Sequence, residues 1–154
     1  MYVPDTELIM VRFEALLASV TGIVPFGAVK TVTRVWQPWE QVAQIAQPAI
    51  VIVEPREKET ARRGQQPSLS LQTLLVCYIQ CDPKDTVNPP NTRVNSFLKA
   101  IRTALLPQGS DIALNAQTLG GLVSNAFIDG EIVKDAGILD DQGSLMVPVS
   151  LQLT

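Results

Sequence analysis

The chain has 154 residues, 46% of them apolar and 18% charged, with a net charge of −3; that is enough to bury one real core and argues against global disorder or a highly charged tail. No apolar run reaches membrane-spanning length, and the first residues, MYVPDTELIMVRFEALL, carry charges inside their apolar stretch, unlike a signal peptide. There is no histidine, which removes the commonest general base, the usual Ser or Cys triads and nearly all zinc sites.

From Thr6 to about Val20, Ile9, Phe13, Leu16, Leu17 and Val20 recur at helical spacing. Asp5 is the expected N-cap and Gly22 the expected stop. VKTVTRVW at 29–36 alternates as a strand does. QPWEQVAQIAQP follows, a connection bounded by Pro38 and Pro48 with room for one helical turn. Trp36 and Trp39, flanking Pro38, read as a core corner, or as interface anchors if exposed.

AIVIVEPREKE at 49–59 begins as a buried strand and becomes charged, and SLSLQTLLVCYIQC at 68–81 is the longest strand candidate. In the latter, Leu69, Leu71, Thr73, Leu75, Cys77 and Ile79 share one face. Leu74, Val76 and Tyr78 make the opposite face apolar only in its second half, so that half is expected to be covered on both sides. Cys77 and Cys81 would sit about 13 Å apart in an extended strand, too far for a disulfide. Between these strands, residues 54–68 read as a long charged hairpin arm, with a solvated loop as the plainer alternative.

DPKDTVNPPN at 82–91 is a loop in which Asn88 and Pro89 resemble an N-cap and N1. A second helix runs to about Leu106 on the stripe Val94, Phe97, Leu98, Ile101 and Leu105. Gly120 and Gly121 precede a period-two run. No Gly-Lys-Ser/Thr follows them, so they are expected to form a turn into a strand and not a phosphate loop. Strands at about 122–135 and 144–153, joined by DAGILDDQG, are expected to pair antiparallel. Residues 1–154 therefore read as one α+β domain: an antiparallel or mixed sheet of about four to five strands with two main helices on one face.

Charge is uneven. From Asp111 onward six acids face Lys134 alone, whereas residues 1–110 hold eleven basic and nine acidic residues. The carboxylates Asp129 and Glu131, on one predicted strand face, and Asp140 and Asp141, in a turn, form pairs, but no signal supplies the pocket and opposed environments a catalytic pair needs. DAGILDDQG lacks EF-hand ligand spacing. Glutamates interleave with Arg56, Lys58, Arg62 and Arg63, and no aromatic residue lies among them, a pattern that disfavours direct nucleic-acid binding. No catalytic, cofactor-binding or metal-binding residue is assigned; a small carboxylate-dependent enzyme stays as the minor alternative.

The order of these features resembles one family. An amphipathic helix is followed by RVWQPWEQVAQIAQPAIVIVE, a charged hairpin, a long strand, the helix VNSFLKAIRTALL and then QTLGGLVSNAFIDGEIVKDAGILDDQGSLMVPVSL. This arrangement is similar to the tail terminator, or tail-completion, proteins of long-tailed bacteriophages and prophages, over nearly the whole chain. The resemblance implies a non-enzymatic subunit, assembled in the host cytoplasm, that forms a hexameric ring at the head-proximal end of the virion tail. Its implied partners are further copies of itself, the tail tube protein and the head connector or neck protein, without a membrane. A head–tail connector or neck protein is the neighbouring alternative. On this reading the arm's Arg56, Lys58, Arg62 and Arg63 meet tube or neighbouring subunits, and Asp129, Glu131, Asp135, Asp140 and Asp141 offer the complementary charge.

Overall fold

The computed structural model describes residues 3–137 and 141–153. It has a mixed six-stranded sheet with helices against one face, in agreement with the α+β reading. Helix α1 spans Thr6–Leu17, capped as expected by Asp5, whose side chain accepts from the Leu8 amide at 3.0 Å. It stops three residues before Val20, which is nonetheless buried. Strand β1 is only Thr31–Thr33, shorter than the predicted 29–36, and pairs parallel with the start of β2, Ala49–Arg62. Two short 3-10 turns, Trp39–Gln41 and Gln44–Ala46, occupy the connection.

Strand β3, Gln65–Gln80, pairs antiparallel with β2, so the arm is a continuous hairpin and not an irregular loop. Helix α2, Pro90–Ala104, has Pro89 at its cap and Pro90 at N1, one residue later than predicted. Asn88 is not the cap; the Asp85 carboxylate takes the Val87 and Asn88 amides at 2.9 and 3.0 Å, and the Asn88 carbonyl accepts from Arg93 Nε. A four-residue helix, α3 at Asp111–Leu114, was not predicted.

The expected strand at 122–135 is two strands, β4 at Asn125–Ile128 and β5 at Val133–Asp135, both antiparallel to β6, Gln142–Leu153. The break has a local cause. Pro148 of β6 accepts from the Asp129 amide at 3.1 Å, so its nitrogen faces the same neighbour with no hydrogen to donate. The ladder lapses there and resumes two residues out of phase at Val133 opposite Met146.

One face of the sheet supplies Ile50, Ile52, Leu75, Cys77, Ile79, Leu145, Val147, Val149 and Leu151 to the main core, packed against Phe13 and Leu17 of α1 and Phe97 and Ile101 of α2. Neither cysteine is in a disulfide, and burial pushes the Cys77 thiol well above its ordinary value. On the helix-free face, Ala49, Val51, Val76 and Tyr78 are covered by Val42 in a second, smaller core, as the two-sided apolar half of β3 implied. Tyr78 donates to the Gln37 carbonyl at 3.1 Å, and Gln47 and Gln142 exchange amide hydrogen bonds, fixing the connection to that face.

Phe97 is completely buried, whereas Arg62 and Arg63 are exposed at the hairpin end. Urea unfolding should therefore show Phe97→Ala losing about 3–5 kcal/mol, while Arg62→Glu with Arg63→Glu stays within about 0.5 kcal/mol of wild type per substitution.

Candidate interaction surface

Register fixes what the helix-free face presents. Its rows run from Ala49, Tyr78, Ser144 and Asp135, through Val51, Val76, Met146 and Val133, to Val53, Leu74 and Pro148. A bulge at Glu54 and Pro55 then adds one residue to β2. Beyond it the rows become Arg56, Gln72, Ser150 and Phe127, then Lys58, Ser70, Gln152 and Asn125, then Thr60 and Ser68. Along one sheet, the same face turns from apolar to polar and basic.

Each end carries a hollow. At the apolar end, about 260 Å³ is lined by Trp36, Pro38, Trp39, Val76, Tyr78, Asp135, Gln142, Ser144 and Met146. Trp36 is 58% exposed, Trp39 47% and Met146 39%. An adjoining hollow shares Trp39 and Gln142 and adds Glu40 and Asp141. Three carboxylates thus rim the tryptophans, and no lysine or arginine lines either hollow. At the basic end, about 360 Å³ is lined by Lys58, Thr60, Arg62, Asp129 and the hydroxyls of Ser68, Ser70, Ser124 and Ser150. Ser70 and Ser150 share a hydrogen bond at 3.2 Å across the strands.

The predicted interface residues therefore separate. Lys58, Arg62 and Asp129 come together in one hollow, without an ion pair within 4.0 Å. Arg56 lies beside the bulge, bordering a hollow against α1 with Thr6 and Met10, and Arg63 stands exposed at the turn. Asp135 and Asp141 are at the far, tryptophan end. Glu131 is exposed in the bend between β4 and β5, so it and Asp129 do not share a strand face. Asp140 lies outside the described residues. The sequence offers the tryptophans as a core corner or, if exposed, as interface anchors, and the structure leaves both exposed on either side of Pro38.

The root of the arm is anchored. Arg34 bridges Glu7 of α1 and Glu54 of β2, each at 2.6 Å, and these contacts raise its pKa further. Among the described residues, none of Arg56, Lys58, Arg62 and Arg63 makes an ion pair. The arm's cations are thus left without an ion-pair partner among the described residues.

The paired glycines form no anion cradle. Gly120 and Gly121 have φ of +74° and +91°, the left-handed turn that glycine adopts without strain. The Gly121 amide already donates to Thr118 Oγ1 at 3.0 Å. Asp111 accepts from the Thr118 amide at 2.8 Å and from Thr118 Oγ1 at 2.7 Å, so the chain's own carboxylate holds this loop. No described helix is long and apolar enough to cross a membrane. The chain matches no protein-family model and none of the curated proteins with which it was compared.

The Thr118 amide and hydroxyl hold the Asp111 carboxyl below its ordinary 3.8, and the Asn88 amide and Arg93 do the same for Asp85. Such depressed groups contribute stability that is full above the unfolded value and lost as pH falls through the lower folded values. Denaturation midpoints should accordingly drop below pH 3.8, and Asp111→Asn should flatten that pH dependence; an unchanged slope would count against the Asp111 contacts.

Proposed function

We infer that the protein is a non-enzymatic, ring-forming subunit that caps the completed tail tube of a long-tailed bacteriophage, ends its polymerisation and offers a surface to the head connector. The observation that carries this reading is the end-to-end polarity of the helix-free face: unpaired cations on a projecting hairpin at one end, and an acid-rimmed, exposed tryptophan hollow at the other. Along β3, Gln65 and Tyr78 are separated by about 43 Å at 3.3 Å per residue, so the two ends cannot meet within one copy. Complementary surfaces at opposite ends suit a head-to-tail contact, which closes into a ring when the rotation permits.

The free edge of β2 supports the same geometry. From Ile52 to Arg62 it pairs only with β3. Arg56 and Lys58 lie on one face with Gln72 and Ser70, and Glu57 and Glu59 on the other with Leu71 and Leu69. A two-fold antiparallel pairing of two such edges sets cation against cation and glutamate against glutamate, which is destabilising. The charges thus guard the edge against symmetric pairing and leave its cations for a different surface.

Purified chain added to polymerising tube protein is expected to shorten the tubes and to appear as rings at one end by negative-stain electron microscopy. Arg62→Glu with Arg63→Glu should lose both effects with an unchanged circular dichroism spectrum. Tubes of undiminished length with the wild-type chain would contradict the reading.

A further inference from the structure

We propose that the hollow between Trp36 and Trp39 is the receptor for the Arg62–Arg63 hairpin end of a second copy of this chain. This rests on the ring reading and names the contact that would build it. The hollow calls for a ligand both apolar and cationic: two exposed indoles with Tyr78, Val76 and Met146 form its walls, while Asp135, Glu40 and Asp141 stand on its rim. A guanidinium stacks on an indole face, lays its aliphatic stem along apolar side chains and pairs with a carboxylate.

The chain carries such groups at one projecting place. Arg62 and Arg63 adjoin the Gly64 turn, are exposed, and have no ion pair among the described residues. The glutamates interleaved along the arm end at Glu59, so residues 60–68 of the hairpin end carry only basic charge, with Asp129 bordering the hollow beside Arg62. The receptor is the reverse: no lysine or arginine lines it. Within a single copy the two sites lie at opposite ends of the β2–β3 ladder, so a hairpin end can reach only the receptor of another copy, whose own hairpin end stays open for the next.

Disulfide trapping between two differently marked copies tests this. One carries Gln65→Cys at the hairpin end; the other carries Ser144→Cys, a near-isosteric change inside the hollow. Cys77 and Cys81 are buried and so give little background. The mixed chains should form a covalent dimer at least about tenfold faster than Gln65→Cys mixed with a control bearing Ala15→Cys on exposed α1. Adding Arg62→Glu and Arg63→Glu to the first chain should return the rate to the control, and placing Glu40→Arg and Asp141→Arg on the second should restore it. Because Trp36 and Trp39 are the only tryptophans, the trapped dimer should also show blue-shifted tryptophan emission.

Trapping at the control rate, or trapping indifferent to the charge reversals, overturns the docking. Rings of wild-type chain together with control-rate trapping would remove this contact and leave the ring reading standing. Specific trapping from a chain that leaves tube length unaffected would do the opposite, keeping the contact and removing the tail function.

Discussion

The β2–β3 ribbon is longer than anything available to cover it. At about 3.3 Å per residue the sixteen residues of β3 extend about 50 Å, whereas α1 with twelve and α2 with fifteen reach about 18 and 22 Å. Two helices can shield only part of such a ribbon. The main core therefore gathers over Leu75, Cys77, Ile79 and their neighbours, and β2 from Glu54 to Arg62 runs on in solvent. Charge keeps that exposed part soluble, the bulge at Pro55 marks where burial ends on β2 while Leu71 and Leu69 of β3 stay buried past it, and Arg34 clamps its root to α1.

From that length follows the polarity of the helix-free face. Near the root, the 37–48 connection folds back to form the second core, with its Trp39 and the preceding Trp36 left half in water. Farther out nothing folds back, and the face is carried by hydroxyls, amides and cations. A protein satisfied by itself would have little reason to keep exposed tryptophans at one end and unpaired arginines at the other. Both are explained together if copies associate in sequence around a ring.

Much of this was legible in the sequence because strand periodicity leaves a direct trace. The alternation of Leu69 to Ile79 identified the core face, and the late apolar turn at Leu74, Val76 and Tyr78 identified the second layer. Asp5 and the two glycines did what local geometry requires of them. What escaped depended on a neighbour distant in sequence. Pro148 interrupts a strand twenty residues earlier by lacking a hydrogen at one position in the ladder, and no pattern within 122–135 reveals it. The acids could be counted but not placed: Asp129 joins the basic hollow, while Asp135 and Asp141 go to the tryptophan end, because β6 carries the former at Pro148 and the latter two at Ser144 and at its own start.

The central proposal, that this chain ends the growth of a phage tail, concerns tail length, and its most direct measurement is electron microscopy of lysates from a phage that encodes the chain, with the gene deleted. A ring that ends tube growth predicts overlong tails without heads, restored to normal by the wild-type gene in trans. Tails of normal length beside separate full heads would contradict termination and move the protein to the connector that joins head to tail.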